Sequence, residues 1–481
     1  MRTVLPRFST FFSLVLLFVL LPACAAPARQ VTATIEVTAF PTKEPTQTIT
    51  PRPTINPTPE ATTVSYLEVD KEDLLGVTVA FWHPFTGDTA ERLREMAQTF
   101  NEENDLGIRV EVFSMGAAGA LNERMVDVRA EDGEMPDLVV APVLLTHVWD
   151  HEGRVVPVEA YLTHSEWGFD EESLAQFDEF ALEQTQNEGM QTAMPLVRSA
   201  SVLYYNKSWA QELGYDSVPT TLKALREQAC TAQQSLLEDN DKENDGTGGW
   251  IINLDDSVIL SWLAAYGERE FSTADGEYIF QSTASEETFN ALWQMNAENC
   301  AWTSRDPLPY EYFATRRALI YSGSVRDTYW QERAMIQSGS QDEWVLLPYP
   351  AESGAPILIW DVSAAVIIES SPEEQLASWL FLQSLLSDKN QALLSISTNS
   401  LPVREDAWRW MEVTLRNHPE WAEVRGMNAE AVSVPLHPDW MIAGCLLEDA
   451  AWQLFQPFTT EEDIPLILQT LDDMILELTE K

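Results

Sequence analysis

Basic residues and cysteines are scarce in this sequence of 481 residues. Lys and Arg number 29 against 76 Asp and Glu, which gives a formal net charge of -47. A charge of this sign disfavours nucleic acid and anionic membrane surfaces as partners, and an acidic, solvated surface is its simplest interpretation. The four cysteines form no Cys-x-x-Cys pair, and we expect no metal site and no cofactor.

A long unbroken apolar run of the kind that spans a membrane is also missing. The most apolar stretch, residues 11–21, is too short to span one comfortably; it follows Arg2 and Arg7 and leads into Leu-Pro-Ala-Cys24. We interpret residues 1–24 as a bacterial lipoprotein signal peptide that ends at a lipidated Cys24. The alternative is an ordinary secretory signal with a coincidental cysteine.

The next segment, residues 25–66, is rich in Pro and Thr and almost free of aromatic residues. Such a segment cannot bury a core, and we expect a disordered tether. Lipid and tether together predict a protein anchored to the outer face of the cell membrane. Any membrane pore it serves must then be another polypeptide.

Strand and helix patterns alternate at the start of the folded part. Apolar runs predict strands at residues 77–82, 108–113 and 136–142, and helical spacing predicts helices at 89–104 and 121–131. This alternation predicts right-handed crossovers and a mostly parallel sheet, which defines the α/β fold class. Because ligands lie at the carboxyl ends of such strands, we expect these loops on the rim of a site: residues 83–87, 114–116 and 141–144.

Two later helical patterns carry cysteines. Cys230 lies within residues 222–237, and Cys300 follows residues 286–299. The sequence alone permits three choices of partner, and we predict that Cys230 pairs with Cys300 in an exported protein. Cys445 is then expected to be a buried thiol.

The stretch from Met194 to Lys207 is Met-Pro-Leu-Val-Arg-Ser-Ala-Ser-Val-Leu-Tyr-Tyr-Asn-Lys. Its apolar part predicts a buried strand. It closely resembles the crossover of the family 1 extracellular solute-binding proteins, which feed ABC importers for sugars, oligosaccharides and sugar phosphates. Residues 318–324, Ala-Leu-Ile-Tyr-Ser-Gly-Ser, and residues 400–404, Ser-Leu-Pro-Val-Arg, resemble further motifs of that family in the same order.

The resemblance implies a two-lobed periplasmic-binding-protein fold of the type II-like kind, in which each lobe is a mostly parallel sheet flanked by helices. Lobe 1 is expected to comprise residues 67–192 and 364–405, and lobe 2 residues 193–363 and 406–481. The hinge segments that join them are expected near residues 192–197, 361–364 and 405–408.

Sugars are bound by aromatic faces and by planar polar side chains that satisfy hydroxyl groups. From position and from the resemblance, we expect ligand contacts at His83, Thr86, Arg198, Ser199, Asp256, Ser322, Gly323, Ser324, Trp360, Asp361 and Trp440. For several of these residues, a purely structural role is the alternative. His83 is equally suited to capping a turn, and Arg198 to a structural salt bridge, for example with Asp361. Most of the 17 tryptophans must belong to the core.

The function that the resemblance implies is that of a substrate-binding lipoprotein of an ABC importer. Such a protein, expected as a monomer, captures a saccharide between its lobes and delivers it to permease and ATPase subunits without catalysing a reaction. Val143, Ser400 and Trp360-Asp361 depart from the glycerol-phosphate branch of the family, which favours a neutral saccharide.

Two alternatives remain. One is a surface-anchored carbohydrate-active enzyme with two catalytic carboxylates, although the sequence contains no Gly-x-Ser-x-Gly motif and no phosphate-binding loop. The other is a binding protein for glycerol phosphate or another polar nutrient.

Overall fold

The computed structural model describes residues 69–131, 133–269, 271–272, 277–304 and 308–479. The predicted signal peptide (1–24), the lipidated Cys24 and the tether (25–66) lie outside the described residues, so these three expectations stay predictions. The described residues belong to one compact unit.

The strands of the described residues are β1 (Thr78–His83), β2 (Arg109–Ser114), β3 (Leu138–Pro142), β4 (Val155–Val156), β5 (Gln186–Asn187), β6 (Met190–Gln191), β7 (Met194–Asn206), β8 (Trp250–Ile251), β9 (Ala301–Trp302), β10 (Ile320–Ser324), β11 (Trp344–Leu347), β12 (Ile357–Ile368), β13 (Leu401–Pro402) and β14 (Glu430–Ser433).

The α-helices are α1 (Gly87–Glu103), α2 (Ala118–Ala130), α3 (Val143–His151), α4 (Glu159–Leu162), α5 (Glu171–Leu174), α6 (Glu179–Gln184), α7 (Lys207–Glu212), α8 (Leu222–Glu238), α9 (Asp256–Ala265), α10 (Thr283–Ala297), α11 (Tyr310–Ala314), α12 (Thr328–Ser338), α13 (Pro372–Leu385), α14 (Asp388–Thr398), α15 (Glu412–Asn417), α16 (Pro419–Gly426), α17 (Trp440–Gln453) and α18 (Ile464–Thr479). Short 3₁₀ helices span Val325–Asp327, Glu405–Trp410 and Glu461–Asp463.

The opening of the fold confirms the predicted alternation of strands and helices. β1 pairs in parallel with both β2 and β3. α1 buries Leu93, Met96 and Ala97, three of the apolar residues whose spacing predicted this helix. The carboxyl ends of β1 and β3 therefore point toward one edge of the sheet.

Two long strands, β7 and β12, cross the molecule and pair antiparallel with each other. β12 pairs with β14 over its first residues and with β3 and β4 over its last ones. β7 pairs with β12 and β13 before it pairs with β10 and β11. Because the crossing strands run in opposite directions, the sheet is mixed, whereas the sequence predicted mostly parallel lobes.

The fold is two-lobed, and the crossing strands take part in the cores of both lobes. Val197 of β7 and Val362 of β12 pack into the core of the opening sheet. Leu203 and Ile359, further along the same strands, pack into a different core with α9, α17 and α18. The packing changes between these residues, close to the hinge predicted at residues 361–364, while the exact lobe boundaries remain a prediction.

The predicted disulfide between Cys230 on α8 and Cys300 is present. It ties α8 to the end of α10 within one lobe. The expectation for Cys445 is wrong: this residue is half-buried on α17 and is not a free thiol. Because this position of α17 stays partly exposed to solvent, its side chain is not buried as the sequence predicted.

Candidate ligand-binding site

A cavity of about 460 Å³ lies where β3, β10 and β12 meet α9 and α17. We call it the inner cavity. The predicted site residues that line it are Asp256, Gly323, Ser324, Asp361 and Trp440. Its wall also includes Pro142, Val143, Leu144, Ala200, Ser201, Asn253, Asp255, Ser257, Arg326, Asp327, Ile359, Val434, Pro435 and Leu436. Residues from six separate segments of the sequence thus converge on one space.

The end of β10 forms the floor of the inner cavity. A Cβ atom on Gly323 would lie 2.9 Å from Asp327 Oδ2 and about as close to two tyrosine rings, so any other residue there would force these side chains to shift. Ser324 caps the following 3₁₀ turn in a reciprocal capping box with Asp327. The Oγ atoms of Ser324 and Ser199 are 2.7 Å apart and share a hydrogen bond. Ser199 therefore supports the floor, since it is buried and does not line the cavity itself.

Asp256 and Trp440 form a polar contact on the opposite wall. Trp440 Nε1 donates to Asp256 Oδ2 over 3.0 Å, and the Asp256 backbone N–H donates to Glu448 over 3.0 Å. Burial, with the nearby charges of Asp255 and Asp361, raises the pKa of Asp256. Burial likewise raises the pKa of Glu448 to about 7. The wall thus concentrates negative charge where it has little solvent.

Arg326 is a site residue that the sequence analysis missed. Among the described residues that line the inner cavity it is the one cation. Its Nη1 donates to Asp361 Oδ2 over 2.5 Å, and its Nε donates to Ser400 Oγ over 3.0 Å. Both charged side chains keep more than a third of their surface exposed. In the sequence, the one indication that Arg326 lines the site was its position two residues after Ser324, a predicted site residue.

Arg198 has a different environment from the predicted one. Its Nη1 contacts Asp178 Oδ2 at 2.7 Å, and its guanidinium lies 4.5 Å from the ring centre of Trp360. Burial lowers the pKa of Arg198, and Asp178 opposes that shift. The suggested bridge from Arg198 to Asp361 is therefore wrong, because Arg198 pairs with Asp178 and Arg326 pairs with Asp361. Neither Arg198 nor Trp360 lines the inner cavity.

Two other predicted residues are buried beside the site. Ser322 is fully buried, and its Oγ accepts from Trp250 Nε1 over 3.3 Å. His83 is also buried, and its Nδ1 accepts from the backbone N–H of Phe85 over 3.2 Å. Burial lowers the pKa of His83 to about 4. This geometry matches the turn-capping alternative for His83 and makes the ring a neutral acceptor at ordinary pH.

The inner cavity shares wall residues with a middle pocket, and the middle pocket shares wall residues with an outer pocket. The middle pocket, of about 390 Å³, shares Pro142 and Arg326 with the inner cavity and includes the predicted Thr86. The outer pocket, of about 660 Å³, again includes Thr86 and adds Tyr329, Trp330 and Trp421. We call these three neighbouring spaces, from Trp440 at the inner cavity to Trp330 at the outer pocket, the cleft.

Comparisons with known proteins agree with this architecture. A family model described as "Bacterial extracellular solute-binding protein" matches residues 95–422. The chain therefore belongs to the bacterial extracellular solute-binding proteins, and the predicted family is confirmed. None of the curated proteins compared with this sequence matches it significantly.

Several solved structures share the fold at low sequence identity. The sugar-binding protein MalE from Xanthomonas citri has a TM-score of 0.70 at 18% identity, over 84% of this chain and 98% of the other. A cyclic alpha-maltosyl-1,6-maltose binding protein from Arthrobacter globiformis has a TM-score of 0.68 at 16% identity, over 84% and 99%. UgpB from Mycobacterium tuberculosis, in complex with glycerophosphocholine, has a TM-score of 0.66 at 15% identity, over 84% and 99%. In the described part of the present chain, no helix combines the length and apolarity needed to cross a membrane.

Proposed function

We propose that this protein captures an extracellular saccharide in the cleft and delivers it to the permease of an ABC importer. The observation that carries the proposal is the convergence of Asp256, Trp440, Arg326 and Asp361 on the inner cavity, beside the strands that cross between the lobes. Carboxylates and a guanidinium suit sugar hydroxyls, and an indole edge offers apolar surface. Family membership and neighbours named as sugar-binding proteins support this choice.

The charge of the inner cavity favours a neutral ligand over a phosphate. Asp255, Asp256, Asp327 and Asp361 line it, while its one described cation, Arg326, is already paired with Asp361. A phosphate group would meet these carboxylates in a partly enclosed space, where like charges repel more strongly than in water. Glycerophosphocholine, the ligand of one structural neighbour, is therefore the weaker candidate here.

Binding is proposed to shift the molecule from an open to a closed arrangement of the lobes. A ligand in the cleft touches residues on both sides, such as Pro142 after β3 and Asp256 on α9, and so favours the arrangement in which both contacts form. The crossing segments of β7 and β12 and the segment near residues 405–408 are the proposed hinges. Small-angle scattering with saturating saccharide should record compaction, and an unchanged profile would contradict closure.

We further propose that the protein is a monomer held at the outer membrane face by a lipid on Cys24, with residues 25–66 as its tether. Mass spectrometry of the protein from its native membrane should find a diacylglyceryl group on Cys24. The Cys24→Ala variant should appear in the soluble fraction. A wild-type protein that is fully soluble and unmodified would contradict the anchor.

The experiment that tests the function is thermal unfolding of the full chain against maltose, maltotriose, larger glucans, polyols and glycerophosphocholine. A ligand at a hundred times its dissociation constant should stabilise the protein by about 2.7 kcal/mol. One selective saccharide that is recovered unchanged would support the binding protein. Conversion of that saccharide would favour the enzyme, and stabilisation by glycerophosphocholine alone would overturn the neutral ligand.

A further inference from the structure

A compact group of possible metal ligands lies beside the outer pocket. Glu332 on α12, His418 just before α16 and Glu420 in the first turn of α16 place one ligand atom each within 4.8 Å of one another. His418 Nδ1 is 2.8 Å from Glu332 Oε1 and 3.4 Å from Glu420 Oε1. The two helices are far apart in sequence, and the fold alone brings these three side chains together.

One carboxylate oxygen of the group is buried without a hydrogen bond. Glu420 is 7% exposed, and among the described residues its Oε1 has no hydrogen-bond partner. Burial, with the charge of Glu332, raises the pKa of Glu420. A buried carboxylate oxygen that lacks a donor is costly unless a proton or a cation satisfies it.

One of the two distances matches the spacing of ligands around a tetrahedral metal ion. Ligand atoms at about 2.0–2.2 Å from a tetrahedral zinc ion lie roughly 3.3–3.6 Å apart. The separation of 3.4 Å between His418 and Glu420 already has this value. The contact between His418 and Glu332, at 2.8 Å, needs to open by about half an ångström when the proton between them leaves.

We propose that Glu332, His418 and Glu420 bind one divalent transition-metal ion of the zinc class, with water in the fourth position. One imidazole and two carboxylates form a mixed nitrogen and oxygen ligand set that suits zinc. The ion would connect α12 to α16 and fix His418 and Trp421, which both line the outer pocket. The proposal is independent of which solute the cleft binds.

The test uses the full chain, first treated with a chelator and then titrated with Co²⁺. The expected result is the visible absorption band of tetrahedral cobalt at one ion per chain, displaced by Zn²⁺. His418→Ala should abolish the band, and Glu332→Gln and Glu420→Gln should each weaken binding by at least about tenfold. Each glutamine variant keeps the size of the side chain, so its thermal midpoint without metal reports whether the fold is intact.

His151→Ala is the matched control. His151 follows His147 by four residues on α3, a spacing that can bring two histidines to one metal ion. Cobalt binding that persists in His151→Ala and disappears in His418→Ala supports the proposal. Binding lost in His151→Ala alone, binding that survives all three cluster variants, or no tetrahedral band in the wild type would each overturn it.

Discussion

The inner cavity and the outer pocket lie at opposite ends of one cleft and use different chemistry. At the inner end, Asp256 and Trp440 are held by hydrogen bonds to each other and to the helix beside them. At the outer end, Tyr329 and Trp330 are 41% and 50% exposed and meet edge to face. Polar groups held in place suit recognition of one sugar ring, whereas exposed rings suit any ring that extends past the first.

The difference suggests that the two ends of the cleft have different roles in ligand binding. Fixed donors and acceptors lose little entropy on binding and reject a ligand that leaves them unpaired. Exposed aromatic rings add apolar contact and tolerate variation. We therefore expect the inner end to set specificity and the outer end to set the preferred chain length.

The largest effect should come from Asp256→Asn, which removes a carboxylate from the inner end but leaves an acceptor for Trp440. A hydrogen bond to a charged group contributes about 1.5–3 kcal/mol, so affinity for the most stabilising saccharide should fall about tenfold to a hundredfold. Calorimetric titration measures the change. Asp449→Asn, an exposed carboxylate on the same helix as Trp440, is the control, and equal losses in the two variants would contradict a specific role.

Arg326→Gln, where the inner cavity joins the middle pocket, should weaken binding about tenfold and change stability little. Its ion pair with Asp361 is more than a third exposed, and such pairs contribute little to folding. Arg198→Gln should do the reverse and lower the free energy of unfolding by about 2 kcal/mol, because it loses a charged hydrogen bond and the stacking on Trp360. Urea unfolding combined with calorimetry separates the two effects, and a binding defect confined to Arg198→Gln would reverse our assignment.

Glu448, which hydrogen-bonds to Asp256 at the inner end, should make the stability of the protein depend on pH. Glu448 has a pKa raised from 4.5 to about 7, so between these values the folded state holds a proton that the unfolded state releases. Its contribution to stability is therefore present at low pH and is lost as the pH rises through about 7. Compared with Glu448→Gln, the wild type should lose on the order of 1 kcal/mol across this window.

The comparison with Glu448→Gln isolates this group, because His83 acts in the opposite direction. Its pKa is lowered to about 4, so it destabilises the fold as the pH falls below its ordinary value of 6.5. Urea unfolding of both proteins at a series of pH values is the measurement. Parallel curves would show that Glu448 titrates as it does in the unfolded chain.

The smallest effect belongs to the outer end. Trp330→Ala should reduce affinity for longer oligosaccharides by about 0.5–1.5 kcal/mol and leave affinity for disaccharides unchanged. Trp410→Ala is the matched control, since Trp410 is 53% exposed but lines none of the three spaces of the cleft. A loss that is equal for short and long ligands would remove the proposed difference between the two ends.

Local sequence determined much of the framework. β12 spans Ile357–Ile368, because a mostly β-branched and apolar run that is buried on both faces has few other conformations. The helix α13 begins with a capping box at Ser371, which the local sequence determines because the cap is formed by residues three apart in the chain. Cys230 and Cys300 both lie on or next to recognisable helices, but the sequence alone left three choices of partner, and the fold brings these two together.

Tertiary structure decided the partners of charged groups. Arg198, Arg326, Asp178 and Asp361 have no periodic pattern, and each guanidinium pairs with whichever carboxylate the fold places nearest. The group of Glu332, His418 and Glu420 is likewise invisible in the sequence, because it exists only where α12 packs against the start of α16. Hydrophobic periodicity is a property of neighbouring residues, so the sequence predicts elements; a binding site is a property of residues brought together in space, so only the folded chain defines it.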